Sequence, residues 1–147
     1  MRAHGNWRLL IAAAIVGLHA IPAAAEPNLI AAVKAGDLAA ARQLVRSREA
    51  VNATEPDGTT ALMWAVRNGS QPIESLLIGA GAQVNAVNRY GVTPLSIAAS
   101  QGNPDALGRL LKAGADPRTA EATLPDGQTL LMLGARTGNV ELLKLLA

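Results

Sequence analysis

The stretch Thr60-Ala61-Leu62-Met63-Trp64-Ala65-Val66 returns 33 residues later as Thr93-Pro94-Leu95-Ser96-Ile97-Ala98-Ala99. A third copy, Thr129-Leu130-Leu131-Met132-Leu133-Gly134-Ala135, follows after 36 residues, and a degenerate one, Leu29-Ile30-Ala31-Ala32-Val33, precedes the first in phase. A recurrence of this length means one supersecondary unit repeated, with each copy burying its apolar face against the next. The chain has 147 residues, room for one domain of ordinary size.

Aligned on that recurrence, the columns have physical meanings. Leu29, Leu62, Leu95 and Leu131 share one phase, and Leu44, Leu77, Leu110 and Leu146 share another, one leucine for each helix of a pair. Ala32, Ala65, Ala98 and Gly134 form a column of small side chains that lets helices approach closely. Gly36, Gly69, Gly102 and Gly138 fall where the first helix must stop, a position that glycine fills in the left-handed conformation. Asp37, Ser70, Asn103 and Asn139 follow directly, all of them residues that cap a helix N-terminus. Thr60, Thr93 and Thr129 are placed to cap the first helices, with Pro94 at the first helical position. Gly81 and Gly114 end the second helices of the middle units, whereas the first unit has Arg48 there and no glycine cap. Pro56-Asp57-Gly58, Arg89-Tyr90-Gly91 and Pro125-Asp126-Gly127 are turn signals of the hairpin kind. The longer third step lengthens the connection between Asp116 and Gly127 by three residues, which loop entropy tolerates.

Thr93-Pro94-Leu95, Ala98-Ala99, the Gly102-Asn103 turn, Leu110-Leu111 and Ala113-Gly114-Ala115-Asp116 together resemble an ankyrin repeat, whose unit is about 33 residues. The resemblance covers residues 27–147, in units 27–58, 59–91 and 92–127 and a truncated 128–147. It implies an all-α solenoid of paired antiparallel helices with projecting hairpin loops. In the family a His follows Thr-Pro-Leu and hydrogen-bonds within and between units. Here Met63, Ser96 and Met132 stand in its place, so those contacts are lost or replaced. The last helix, Leu142-Leu143-Lys144-Leu145-Leu146, lacks the polar outer face of a capping repeat. That reads as a piece of a longer array, or as a helix that a partner covers.

The first 25 residues have the form of a removable address. Arg2 and Arg8 form a basic leader, Leu9 to Ile21 an apolar run, and Ala23-Ala24-Ala25 ahead of Glu26 a small-residue cleavage site, as in a bacterial secretory signal peptide. The run falls short of the roughly 20 residues that span a bilayer. The two arginines are not adjacent, so no twin-arginine signal is visible, and without cysteine there is no lipid attachment site. The expected location is the periplasm or outside the cell, with no membrane insertion after cleavage.

Loss of the leader changes the chemistry. The 13 Lys and Arg include Arg2 and Arg8, so 11 face 11 Asp and Glu, and a neutral domain has no general attraction for nucleic acid. Both histidines, His4 and His19, leave too, and the chain has no cysteine. That excludes Ser-His-Asp and Cys-His chemistry, HExxH motifs and zinc sites of His and Cys. The remaining carboxylates stand at caps and turns, so no catalytic residue, metal or cofactor is indicated.

Function in such an array belongs to the concave face and loop tips, because the columns are consumed by the fold. Glu55, Asp57, Arg89, Tyr90, Leu124 and Asp126 are the expected exposed loop residues. Tyr90 is either a contact anchor or a ring packed on the next hairpin. Trp64 shares its phase with Ile97 and Leu133 and reads as packing. Lys34, Arg67, Ser100 and Arg136 share a phase near the ends of the first helices. Three cations on one strip either meet an acidic partner surface or complement the helix dipole in water. The expected function is a non-catalytic protein-binding module, with Lys34, Arg67, Arg136, Arg89 and Tyr90 as candidate contacts. The alternatives are the N-terminal recognition or autoinhibitory domain of a longer secreted enzyme or toxin, and an assembly factor anchored to the inner membrane.

Overall fold

The computed structural model describes residues 27–147, so the leader and its cleavage site lie outside the described residues. Four helix pairs follow in order: α1 (Leu29–Lys34) with α2 (Leu38–Leu44), α4 (Ala61–Asn68) with α5 (Gln71–Gly79), α6 (Pro94–Ser100) with α7 (Pro104–Lys112), and α9 (Leu130–Ala135) with α10 (Val140–Leu146). Two short helices lie in the connections, α3 (Arg48–Val51) and α8 (Pro117–Thr123). Among the described residues the only β-pairing is an isolated antiparallel bridge between Thr54 and Thr60. No described helix is long and apolar enough to cross a membrane.

The first helices stack α1 on α4 on α6 on α9, each also packed on its own second helix. The small column sits inside that stack, with Ala65 and Ala98 fully buried. At Gly134 an added Cβ would lie 2.3 Å from Leu142 Cδ2, so an alanine there would require Leu142 to shift. Thr60, Thr93 and Thr129 each accept a hydrogen bond from the N–H three residues on, at 3.1 to 3.2 Å. Gly36, Gly69, Gly102 and Gly138 all adopt positive φ. Asp37, Asn103 and Asn139 cap the second helices, but Ser70 does not. Pro72 stands within the first two residues of α5 and removes one of the two N–H groups that a cap serves. The middle second helices end as the glycine placement requires: Gly81 and Gly114 are left-handed, and the next amides bond back to Leu77 and Leu110. In the first unit α2 stops at Leu44 without a glycine, and Ser47 caps the one-turn α3.

The connection from Asp116 to Gly127 is not simply a longer loop. Asp116 caps α8, accepting from Arg118 N at 2.9 Å, and the connection is folded into this seven-residue helix. That helix docks against the preceding hairpin, since a Cβ at Gly91 would lie 2.1 Å from the Thr123 carbonyl oxygen. The third turn also differs from the first two. Gly58 and Gly91 close three-residue loops, with Glu55 N bonded to Thr59 O and Asn88 N to Val92 O. At Pro125–Gln128, Asp126 and Gly127 are both left-handed and make a tighter two-residue turn.

Columns are not burial where the stack ends. Leu131 is 47% and Met132 57% exposed, whereas Leu62, Leu95 and Met63 are buried. Leu130 and Gly134 are the buried residues of α9.

Polar ties hold units in which Met63, Ser96 and Met132 follow the threonine cap by three residues. Ser96 and Thr93 form a reciprocal capping box, each side chain accepting from the other's backbone N–H. Between units, Asn52 accepts from Gln83 N at 2.7 Å and donates to the Gly81 carbonyl, and Asn85 does the same with Asp116 N and Gly114 O. Asn68 donates to Val33 O and Gln101 to Arg67 O, each reaching the preceding first helix. On the outer side, Glu74 is fully buried and its Oε2 accepts from Arg109 Nε at 3.0 Å and Nη2 at 2.6 Å, while Oε1 has no partner. Removing Arg109 alone leaves that carboxylate uncompensated, so Arg109→Leu is expected to destabilise by about 3 kcal/mol or more. The pair E74L/R109L is expected to recover most of the loss, which urea unfolding of the three variants would measure.

Candidate protein-interaction site

Trp64 on α4 is half-buried, its ring packed on the core while its Nε1 donates to Glu55 Oε2 at 2.8 Å. Lys34 lies 4.4 Å over the ring and is ion-paired with the other oxygen of Glu55, and Arg67 lies 5.0 Å from the ring. The first hairpin brings Glu55 back across the first helices, which is why a residue nine positions from Trp64 becomes its partner. Trp64 therefore packs, as its phase indicates, and also orders two cations. The hydrogen bond from Lys34, followed by that from Trp64, holds the Glu55 carboxyl below its ordinary value of 4.5.

The members of the cation strip differ in their surroundings. Lys34 is ion-paired with Glu55, with 39% of its side chain still exposed. Arg89, the other candidate cation on the loops, donates from Nη2 to Pro56 O at 3.0 Å, while its backbone N–H donates to Asp57 O. It is exposed but holds one hairpin to the next. Asp57 and Glu55 are half-buried where exposure was expected, as is Leu124, and Asp57 accepts from Thr59 N at 2.9 Å. That bond holds the Asp57 carboxyl below its usual range. The residue that builds the second hairpin is Asn88. Its Oδ1 accepts from Tyr90 N and Val92 N, both at 3.0 Å, and its Nδ2 donates to Thr59 Oγ1. Its pattern is a turn asparagine followed by Gly91, a signal the sequence carried.

Two of the five candidates, Arg67 and Tyr90, meet around one open groove, and a third, Arg136, lies beside it. The first helices contribute Arg67, Ile97, Ser100 and Leu133 to it, and the hairpins contribute Tyr90 and Leu124. Its volume is about 340 Å³. Ser100 and Leu133 also line an adjoining depression of about 360 Å³ together with Arg136 and Thr137. No acidic side chain lines either part. Among the described residues Arg67 and Arg136 make no ion pair. Tyr90 is 67% exposed, its ring not packed away on a neighbouring hairpin.

The Glu55 interaction fixes a pH dependence. A carboxyl whose folded pKa is depressed contributes stability above its unfolded value, lost as pH falls through the folded value. A carbon-detected NMR titration is expected to give Glu55 a midpoint below 4.5, raised by Lys34→Met and, to a lesser degree, by Trp64→Phe. An unchanged midpoint in both variants would contradict the cluster.

The comparisons with known proteins agree with this architecture. A family model described as ankyrin repeats in three copies matches residues 29–121, and a second, described as ankyrin repeats in many copies, matches residues 96–147. No curated protein matches the chain in sequence. Domains of this kind are typically non-catalytic and generally mediate protein–protein interaction. Stacked helix pairs, left-handed glycine stops, hairpin connections and the two matches that together run from residue 29 to the end are one finding: this chain belongs to the ankyrin-repeat family.

Proposed function

We propose that this protein is an exported, non-catalytic binding module of the periplasm, and that its partner is a protein seated in the groove between the first helices and the hairpins. The observation that carries this reading is the groove itself, which joins an exposed tyrosine and an apolar floor to two arginines without ion-pair partners. Aromatic and arginine side chains are the commonest anchors of protein interfaces, and an apolar floor with a polar rim is their usual setting. Export is supported by the leader: basic residues, an apolar run and Ala23-Ala24-Ala25 before Glu26.

The test has two arms. Mass spectrometry of the protein recovered from a bacterial periplasm is expected to give Glu26 as the first residue, and retention of the leader would overturn the export reading. In cross-linking pull-downs, the wild-type chain and a Lys112→Ala control are expected to retain a protein that the R67A/Y90A/R136A variant loses. Equal retention by all three would overturn the assignment of the groove.

A further inference from the structure

Arg67 lines the groove and Arg136 the depression that adjoins it, separated by the intervening unit, with Ile97 and Leu133 between them. Neither guanidinium is neutralised by an acid of this chain among the described residues. The carboxylate of the adjoining cluster, Glu55, is held by Lys34 and Trp64. The groove and its adjoining depression are thus together positive at both ends, apolar in the middle, and open.

We propose that the groove receives an extended acidic segment of a partner protein, with a carboxylate at each arginine and apolar side chains between them. This rests on the reading of the groove as the protein-binding site and specifies its occupant. Charge complementarity selects an acidic partner, because a cationic or neutral segment leaves both arginines unpaired at the edge of an interface. The separation selects the spacing. First helices pack about 8–10 Å apart, so Arg67 and Arg136, two helices apart, are about 16–20 Å from each other. An extended chain advances about 3.3 Å per residue, so carboxylates six residues apart match that span. Six is an even number, so both acids point to the same side of the strand, as do the residues two and four after the first. The pattern is Glu-x-Leu-x-Leu-x-Glu, with the two leucines on Ile97, Leu133 and the Tyr90 ring.

Arg67 is the better prepared of the two ends. Its guanidinium lies against the Trp64 ring, which limits its rotamers before a partner arrives and leaves its outer edge for a carboxylate. The Glu55 bond to Trp64 Nε1 fixes the ring in turn.

The experiment is fluorescence anisotropy with a labelled Glu-Ser-Leu-Ser-Leu-Ser-Glu peptide and its Gln-ended analogue, titrated with the wild-type chain and with Arg67→Ala, Arg136→Ala and Tyr90→Ala. The Glu-ended peptide is expected to bind more tightly, to weaken with added salt, and to lose about fivefold with each arginine removed. With the Gln-ended peptide the arginine substitutions are expected to change little, which is the signature of a specific charge pair in a double-mutant cycle. Equal binding of the two peptides, or arginine effects that are the same for both, would overturn the acidic-segment proposal. So would the absence of binding by either peptide. The partner pulled down from the periplasm separates the two claims. Its loss on Tyr90→Ala but not on R67A/R136A leaves the groove as the binding site and removes the acidic segment. Its indifference to all three removes the groove itself.

Discussion

The close approach of the four first helices is the constraint on which the rest depends. A six- to eight-residue helix is far below the length that is stable alone, so these helices exist because each buries a face against the next. That burial requires a small side chain at the point of contact, and Ala32, Ala65, Ala98 and Gly134 supply it. Larger apolar residues then close the space around the column, from Val33 and Leu62 to Leu95 and Leu107. Once the first helices are stacked, the residues on their outward edge form a row whose spacing is set by helix packing and not by the side chains themselves. The groove and the depression beside it, with one arginine in each, are a consequence of that spacing.

Stacking alone would leave the connections unsupported, and the chain supports them with amides. Asn52 and Asn85, 33 residues apart, each bind the start of the loop in the next unit while holding a carbonyl at its helix end. Asn68 and Gln101, again 33 apart, bind carbonyls of the preceding first helix. A side-chain amide both donates and accepts, so one residue can serve two backbone groups across a unit boundary. This is how the array holds together without the histidines that usually follow Thr-Pro-Leu. Where Ser96 stands in that position, the hydroxyl turns inward to its own Thr93. The between-unit side-chain contacts of the middle units are made by the amide columns.

Much of this was legible because a repeat repeats its local signals. Threonine caps, left-handed glycines and the small column are each decided within a few residues, and each appears three or four times in register. What could not be read depends on what lies across space. Leu131 has the column of Leu62 and Leu95, but a column position is buried only when a unit stacks on it, and none does in the described chain. Helix α8 was hidden because the three added residues look like loop, while Asp116 as a cap and Pro117 behind it were the available helix-start signal. The pairing of Lys34 with Glu55 joins residues on different elements, as does that of Glu74 with Arg109. No periodicity of either partner alone announces such a pair. The cation strip was thus visible as a strip, but which of its members were free was not.

The difference between bound and free cations gives the groove a direction. Lys34, Glu55, Trp64 and Arg67 are linked in sequence, so Lys34 is ion-paired with Glu55, and Glu55 in turn orients the indole on which Arg67 rests. Arg136 has no such support and lies at the exposed end of α9. Ordering a long side chain costs about 0.5–1.5 kcal/mol when a partner binds. At Arg67 part of that cost has been met in folding, whereas at Arg136 it falls on binding. Two arginines of the same column, equal in sequence, are therefore unequal as contacts, and the inequality arises from a hairpin glutamate that belongs to neither helix.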